Sequence, residues 1–156
     1  MLEAILTILI IAAALGSGLV AGTFFAFSTF VMKALGETSG AGGIDSMQRI
    51  NKVILRSAFM PVFTGTAILS VALAAWGVVA LDFARAVVLS AGAVLYVVCT
   101  FILTIRFNVP LNAALERVRP EEAEKVWREY LVDWTRWNTI RTVCAALAMV
   151  CFAMAL

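Results

Sequence analysis

Four stretches of the chain contain no charged residue, and the polar positions collect between them. The uncharged runs are Ala4–Met32, Ser57–Leu81, Ala86–Ile105 and Thr142–Leu156. A helix crossing the hydrocarbon core of a bilayer needs roughly 20 predominantly apolar residues. The pattern therefore predicts an all-α protein, a four-transmembrane-helix bundle with two helical cytoplasmic loops. Spans are expected at about 4–32, 57–81, 86–105 and 138–156, and the loops at 33–56 and 106–137, in a single integral membrane domain covering 1–156.

The last run is the misfit. Thr142–Leu156 has 15 residues, which at about 1.5 Å rise cover roughly 22 Å of a ~30 Å core. A full crossing takes Trp137, Asn138 and Arg141 down to the membrane boundary or below it. A guanidinium at that depth either snorkels to the headgroups beside a Trp belt or finds a partner in a functional site.

Local signals refine the elements. Gly36–Gly43 (GETSGAGG) reads as a flexible connector, with Asp45 or Ser46 as N-cap of a helix through Met47, Ile50 and Ile54. Pro61 lies inside the second run and predicts a kink. Asn108 and Pro110 predict a fresh helix after the third run, and Arg119-Pro120-Glu121-Glu122 predicts another. From there Trp127, Tyr130, Trp134, Trp137 and Arg141 recur at three-to-four spacing, as one stripe of a helix entering the fourth run. In the first run Ala14, Gly18, Gly22 and Ala26 stand four residues apart. Such a ladder admits another helix backbone, from the same chain or from a partner. Gly18 and Gly22 are accordingly the expected contacts for a homo-oligomer or a membrane complex.

Composition and charge then orient the bundle. The chain is 63% apolar with mean hydropathy +0.99, beyond the range of ordinary soluble domains. Eleven of the twelve Lys and Arg residues lie in the two long connections; Arg85 alone lies in the short one. The positive-inside bias places those connections in the cytosol and both termini outside, in a multi-pass cell-membrane protein embedded in lipid. Glu121, Glu122 and Glu124 interrupt the basic stretches, so no stripe exists for nucleic acid. The first run follows Glu3 rather than a basic leader and continues for 29 uncharged residues, which reads as a retained anchor.

Candidate chemistry is sparse. There is no histidine, and Cys99, Cys144 and Cys151 sit inside apolar runs without CxxC spacing. Histidine-ligated haem, His-rich iron or copper sites and a Ser-His-Asp triad are excluded, no metal-ligand pair stands out, and no cofactor or metal is expected. The runs contain no Asp or Glu, which argues against a proton-coupled carrier. Asn51, Asn108, Asn112 and Asn138 all fall at predicted inner helix ends, near Arg106 and Arg141. Buried amides require partners, so this gathering is either a structural hydrogen-bond network or a ligand site.

Several segments read together carry a family pattern: Phe24-Phe25-Ala26-Phe27-Ser28, Met47-Gln48-x-Ile50-Asn51, Phe59-Met60-Pro61, Phe107-Asn108-Val109-Pro110-Leu111-Asn112 and Trp134-x-x-Trp137-Asn138-x-x-Arg141-Thr142. They resemble the anthrone-oxygenase-like family of small four-span membrane proteins, over most of the chain. Fungal relatives are linked to oxidising anthrones to anthraquinones. The resemblance implies a cofactor-independent membrane oxidoreductase acting on a flat phenolic or quinone-type molecule at the inner membrane face. It also implies a ligand site formed by Asn51, Asn108, Asn112, Phe107, Trp134 and Trp137, with Asn138 and Arg141 as donors to a developing oxyanion. Tyr130 and Asp133 are the nearest candidates for a base. Many members carry His where Thr139 stands, which this chain lacks. The alternatives are a non-catalytic subunit or lipid/quinone-binding module of a larger membrane assembly and, third, a small-molecule transporter.

Overall fold

The computed structural model describes residues Met1–Leu156 as five helices without a strand. They are α1 (Leu2–Gly36), α2 (Gly40–Ile54), α3 (Phe59–Ala80), α4 (Phe83–Leu115) and α5 (Pro120–Met154). All but α2 are long and apolar enough to cross a membrane. The chain is an all-α multi-pass membrane bundle. Within their uncharged runs the long helices are apolar around the whole circumference, as expected when one side meets protein and the other lipid, whereas the first half of α5 is charged on its exposed face. Ile10, Leu73, Leu89, Tyr96 and Phe152 fill the centre, while Ile8, Leu15, Val79 and Phe83 remain exposed.

Small residues set the helix spacing. A Cβ at Gly16 would collide with the Thr66 hydroxyl, and one at Gly92 would lie 2.9 Å from the Phe152 ring. Within the Gly ladder, Gly18 faces Met149 of α5, whereas Gly22 has open space beside it. At the end of the bundle with the short connection the Asp82 carboxylate accepts from the Arg85 N–H at 3.1 Å and caps α4. Arg85 Nε in turn donates to the Ala155 carbonyl at 3.1 Å, joining the hairpin to the end of α5.

Three local expectations are corrected. The Gly-rich segment is not a loose connector: Ser39, not Asp45 or Ser46, caps α2 by accepting from the Gly42 N–H, and Gly40 opens the helix. Contact explains this. Any side chain at Gly43 would enter the Trp127 ring, and one at Gly40 would lie 2.8 Å from the Glu124 backbone, so glycine lets α2 lie directly on α5. Asp45 pairs instead with Arg49 at 2.9 Å on the exposed face. Pro61 makes no kink, because α3 begins at Phe59 and Pro61 occupies a first-turn position whose N–H needs no intrahelical acceptor. Asn108 caps no new helix. The helical path continues through Pro110, and a wide i→i+5 turn over Thr104–Asn108 precedes it. Such a turn relieves the missing N–H and the ring's crowding of the previous turn. Two more wide turns occur at Phe27–Val31 and Val94–Ile102.

Candidate functional site

At the end of the bundle that carries the two long connections α3 and α4 separate, and the space between them is a cleft of about 260 Å³. Its deep end lies where the rings of Phe63 and Phe101 are 4.9 Å apart. Phe24 and Phe27 of α1 form one wall, and Phe59 stacks on Phe63 at 5.5 Å in another. Met47, Ile50 and Asn51 of α2 close the top. The lining is mostly aromatic and aliphatic, with a few polar groups converging from α4 and α5. Such a combination characterises small-molecule sites.

Arg141 is the only ionisable residue of that lining. It is 3% exposed, and none of the four ion pairs in the protein involves it. Nη1 donates to Thr104 Oγ1 at 2.9 Å and Nη2 donates to Asn138 Oδ1 at 2.7 Å. The guanidinium carbon lies 4.1 Å from the centre of the Phe24 ring. Nε has no partner. Arginine stays protonated in proteins, so a cation without a counter-charge is held among aromatic rings. Asn108, 1% exposed, adds a second opening: its Nδ2 donates to the Trp134 carbonyl at 3.3 Å, while Oδ1 is unsatisfied. Buried polar atoms are nearly always paired. One unpartnered donor and one unpartnered acceptor therefore belong to residues of the same cleft.

Asn138 holds Arg141 in position. Its Nδ2 donates to the Phe24 carbonyl at 2.6 Å and to Ser28 Oγ at 2.7 Å, which leaves Oδ1 turned to the guanidinium. Phe24 and Ser28 bracket the start of the wide turn in α1, where displaced carbonyls look for donors outside the helix. Thr139 donates its hydroxyl to Ser28 Oγ at 3.0 Å. Asn112 ties the roof. Its Oδ1 accepts from Tyr130 Oη at 2.8 Å and Trp134 Nε1 at 2.9 Å, and its Nδ2 donates to Asn51 Oδ1 at 3.1 Å.

The candidate residues therefore divide into groups. Asn51, Asn108, Asn112, Trp134 and Arg141 line the cleft. Asn138 and Tyr130 stand behind it, each bonded to a lining residue. Phe107 and Trp137 stack on each other at 3.8 Å, and neither ring lines the cleft. Asp133 is exposed and lies apart from the lining. Phe63, Phe101 and Thr104 were missed as candidates, because phenylalanine is ordinary in a span and a threonine there ordinarily bonds its own helix. Thr104 does both, donating to the Thr100 carbonyl at 2.7 Å while receiving Arg141.

A four-span helical bundle with a cationic, aromatic cleft at one end defines a class of small membrane proteins with an internal ligand-sized site. Within that class the family can be stated. The anthrone oxygenase family profile matches residues 53–151, which include α3, α4 and most of α5, and the chain belongs to that family. Among curated proteins and among solved structures nothing matches the chain significantly.

Proposed function

We propose that the cleft binds a flat phenolic or enolic molecule as its anion and oxidises it with molecular oxygen. The observation that carries this reading is the buried, unpaired Arg141 guanidinium among aromatic rings. An anionic ring oxygen lodged against the Arg141 guanidinium supplies the missing counter-charge, with Asn108 beside it for a neighbouring hydroxyl. Phe24, Phe59 and Phe63 offer faces for the ring. Asn138 is then a positioning residue that acts through Arg141.

The chemistry needs little beyond this. An enolate carbon bonds to O2, giving a peroxide; the O–O bond breaks, the carbon loses its remaining hydrogen, and water leaves. A ring CH2 plus O2 thereby becomes C=O plus H2O. The lining contains no carboxylate, imidazole, phenol or thiol, so the ring hydroxyl gives up its proton to water before the anion enters the cleft rather than to a residue of the cleft. Lodging the anion beside Arg141 favours its ionised form. The eleven basic residues of the long connections favour the cytosolic side for this end of the bundle.

A second reading draws on the same missing base: a non-catalytic quinone- or lipid-binding module holds a ring in the cleft without turning it over. Purified protein in nanodiscs, supplied with anthrone and air, separates the two by anthraquinone absorbance and oxygen uptake. Stoichiometric oxygen uptake that is lost in Arg141→Met supports the oxygenase. Binding of dihydroxyanthraquinone without anthrone turnover supports the module, and absence of both defeats the two readings together.

A further inference from the structure

The cleft is closed on the side of the aqueous connections and open on another. On the aqueous side α2 lies across it as a roof, anchored at several points. Gln48 Nε2 donates to the Leu115 carbonyl at 2.8 Å, Asn51 accepts from Asn112, and Gly40 N–H donates to the Glu124 carboxylate at 2.7 Å. Met47, 1% exposed, fills the space beneath the roof. Towards the outer membrane face, the Phe63–Phe101 contact closes the floor. The remaining side is the gap between α3 and α4.

Five residues border that gap, and four of them are apolar. Leu55, Met60 and Thr64 lie on one edge, and Ile105 and Val109 on the other, all of them lining residues. Leu55, Ile105 and Val109 are exposed, and Met60 and Thr64 are half-buried. Each edge also has a cation next in sequence to an exposed mouth residue, Arg56 after Leu55 and Arg106 after Ile105, both exposed. Cations at helix ends mark the headgroup level of the cytosolic leaflet. Met60, Thr64 and Ile105 lie on the span side of those two cations, where the rim meets acyl chains, while Leu55 and Val109 lie at the headgroup level itself.

From these features we infer that the cleft is loaded sideways from the inner leaflet, through the gap between α3 and α4. The inference rests on the proposed ligand-binding reading and adds the route and the ligand class. The ligand is a membrane-partitioned planar ring with an acidic hydroxyl, one that concentrates at the headgroup boundary with its polar edge toward Arg56 and Arg106. A highly water-soluble, multiply charged phenol would not reach Arg141. The product, with its ionisable hydrogen consumed, returns to the same leaflet.

Thr64→Cys tests the route, in a background with Cys99, Cys144 and Cys151 changed to Ala and the protein reconstituted in proteoliposomes. Membrane-soluble pyrene maleimide should label the introduced thiol roughly tenfold or more faster than a charged methanethiosulfonate, and Val109→Trp should slow the maleimide by a similar factor, a barrier change of about 1.4 kcal/mol. Equal or faster labelling by the charged reagent, or no effect of Val109→Trp, overturns the route. A test without substitutions uses a phosphatidylcholine whose acyl chain ends in a diazirine. Irradiation should leave adducts on the buried cleft residue Phe63, and adducts restricted to outward residues such as Ile68 and Val98 overturn the inference. Saturating dihydroxyanthraquinone should protect the Thr64→Cys variant from the maleimide. Rapid labelling from lipid without that protection retains the route and removes the phenolic ligand, so the two failures are distinguishable.

Discussion

Arg141→Met separates the shape of the cleft from its charge. The guanidinium donates to Thr104 Oγ1 and Asn138 Oδ1 and lies 4.1 Å from the Phe24 ring centre. In the variant Thr104 keeps its bond to the Thr100 carbonyl, and Asn138 Nδ2 keeps Phe24 and Ser28. Asn138 Oδ1 is left without a donor, a cost of about 1–3 kcal/mol, and the cation–π contact is lost, about 0.5–2 kcal/mol. Against these stands the removal of an unpaired buried cation, whose desolvation is itself several kcal/mol. The terms oppose at similar size, so the variant should fold and unfold within about 1–2 kcal/mol of the parent protein. Ligand binding has no such cancellation. Removing one partner of a buried charge pair costs about 2–5 kcal/mol, or roughly 30-fold to several-thousand-fold in Kd. Titration of dihydroxyanthraquinone into nanodisc-embedded protein, above the pH at which the probe ionises, reads this directly, with thermal unfolding measured in parallel. An Arg141→Met protein that binds the anion within about threefold of the parent refutes the reasoning.

The roof and the backbone contacts give further expectations. Asn112→Ala strands the Tyr130 hydroxyl, the Trp134 indole N–H and the Asn51 carbonyl oxygen, and at about 1–3 kcal/mol per buried orphan it should lower the unfolding temperature clearly and raise proteolysis of α2. An unchanged unfolding temperature means that solvent already reaches this network. Gly43→Val drives a side chain into Trp127 and should destabilise by about 1–3 kcal/mol through overpacking, whereas Gly22→Ala, with open space beside it, should be neutral or slightly stabilising. If Gly22→Ala alters the elution volume in size-exclusion chromatography, then Gly22 contacts a second copy or a partner. Cysteine placed at Glu116 should resist an impermeant reagent in intact cells and react after lysis; labelling from outside inverts the assigned topology.

The helical class, the number of long apolar helices and the family were legible in the chain, because hydrophobic run length answers directly to bilayer thickness and needs no knowledge of neighbours. The continuity of α5 was legible too, since Trp127, Tyr130, Trp134 and Arg141 keep one helical period and all are buried. Where reading failed, the deciding contact was distant in sequence. The Gly-rich segment looks like a linker until Trp127, more than eighty positions away, is seen to need the room. Pro110 looks like a helix start until a wide turn ahead of it absorbs the defect.

The candidate site divides in the same way. Its polar inventory, four asparagines with Arg106 and Arg141 near one membrane level, could be read from position alone. Which of them meet could not. Asn138 turns to Ser28 and Phe24, more than a hundred residues away, and Phe107 and Trp137 satisfy each other outside the cleft. Sequence determined how much of the chain belongs in lipid, because burial in hydrocarbon is a sum over local composition. Only tertiary structure decided that Arg141 lacks a counter-charge and that α3 and α4 part beside it, because pairing and gaps are properties of neighbours that the order of residues does not specify.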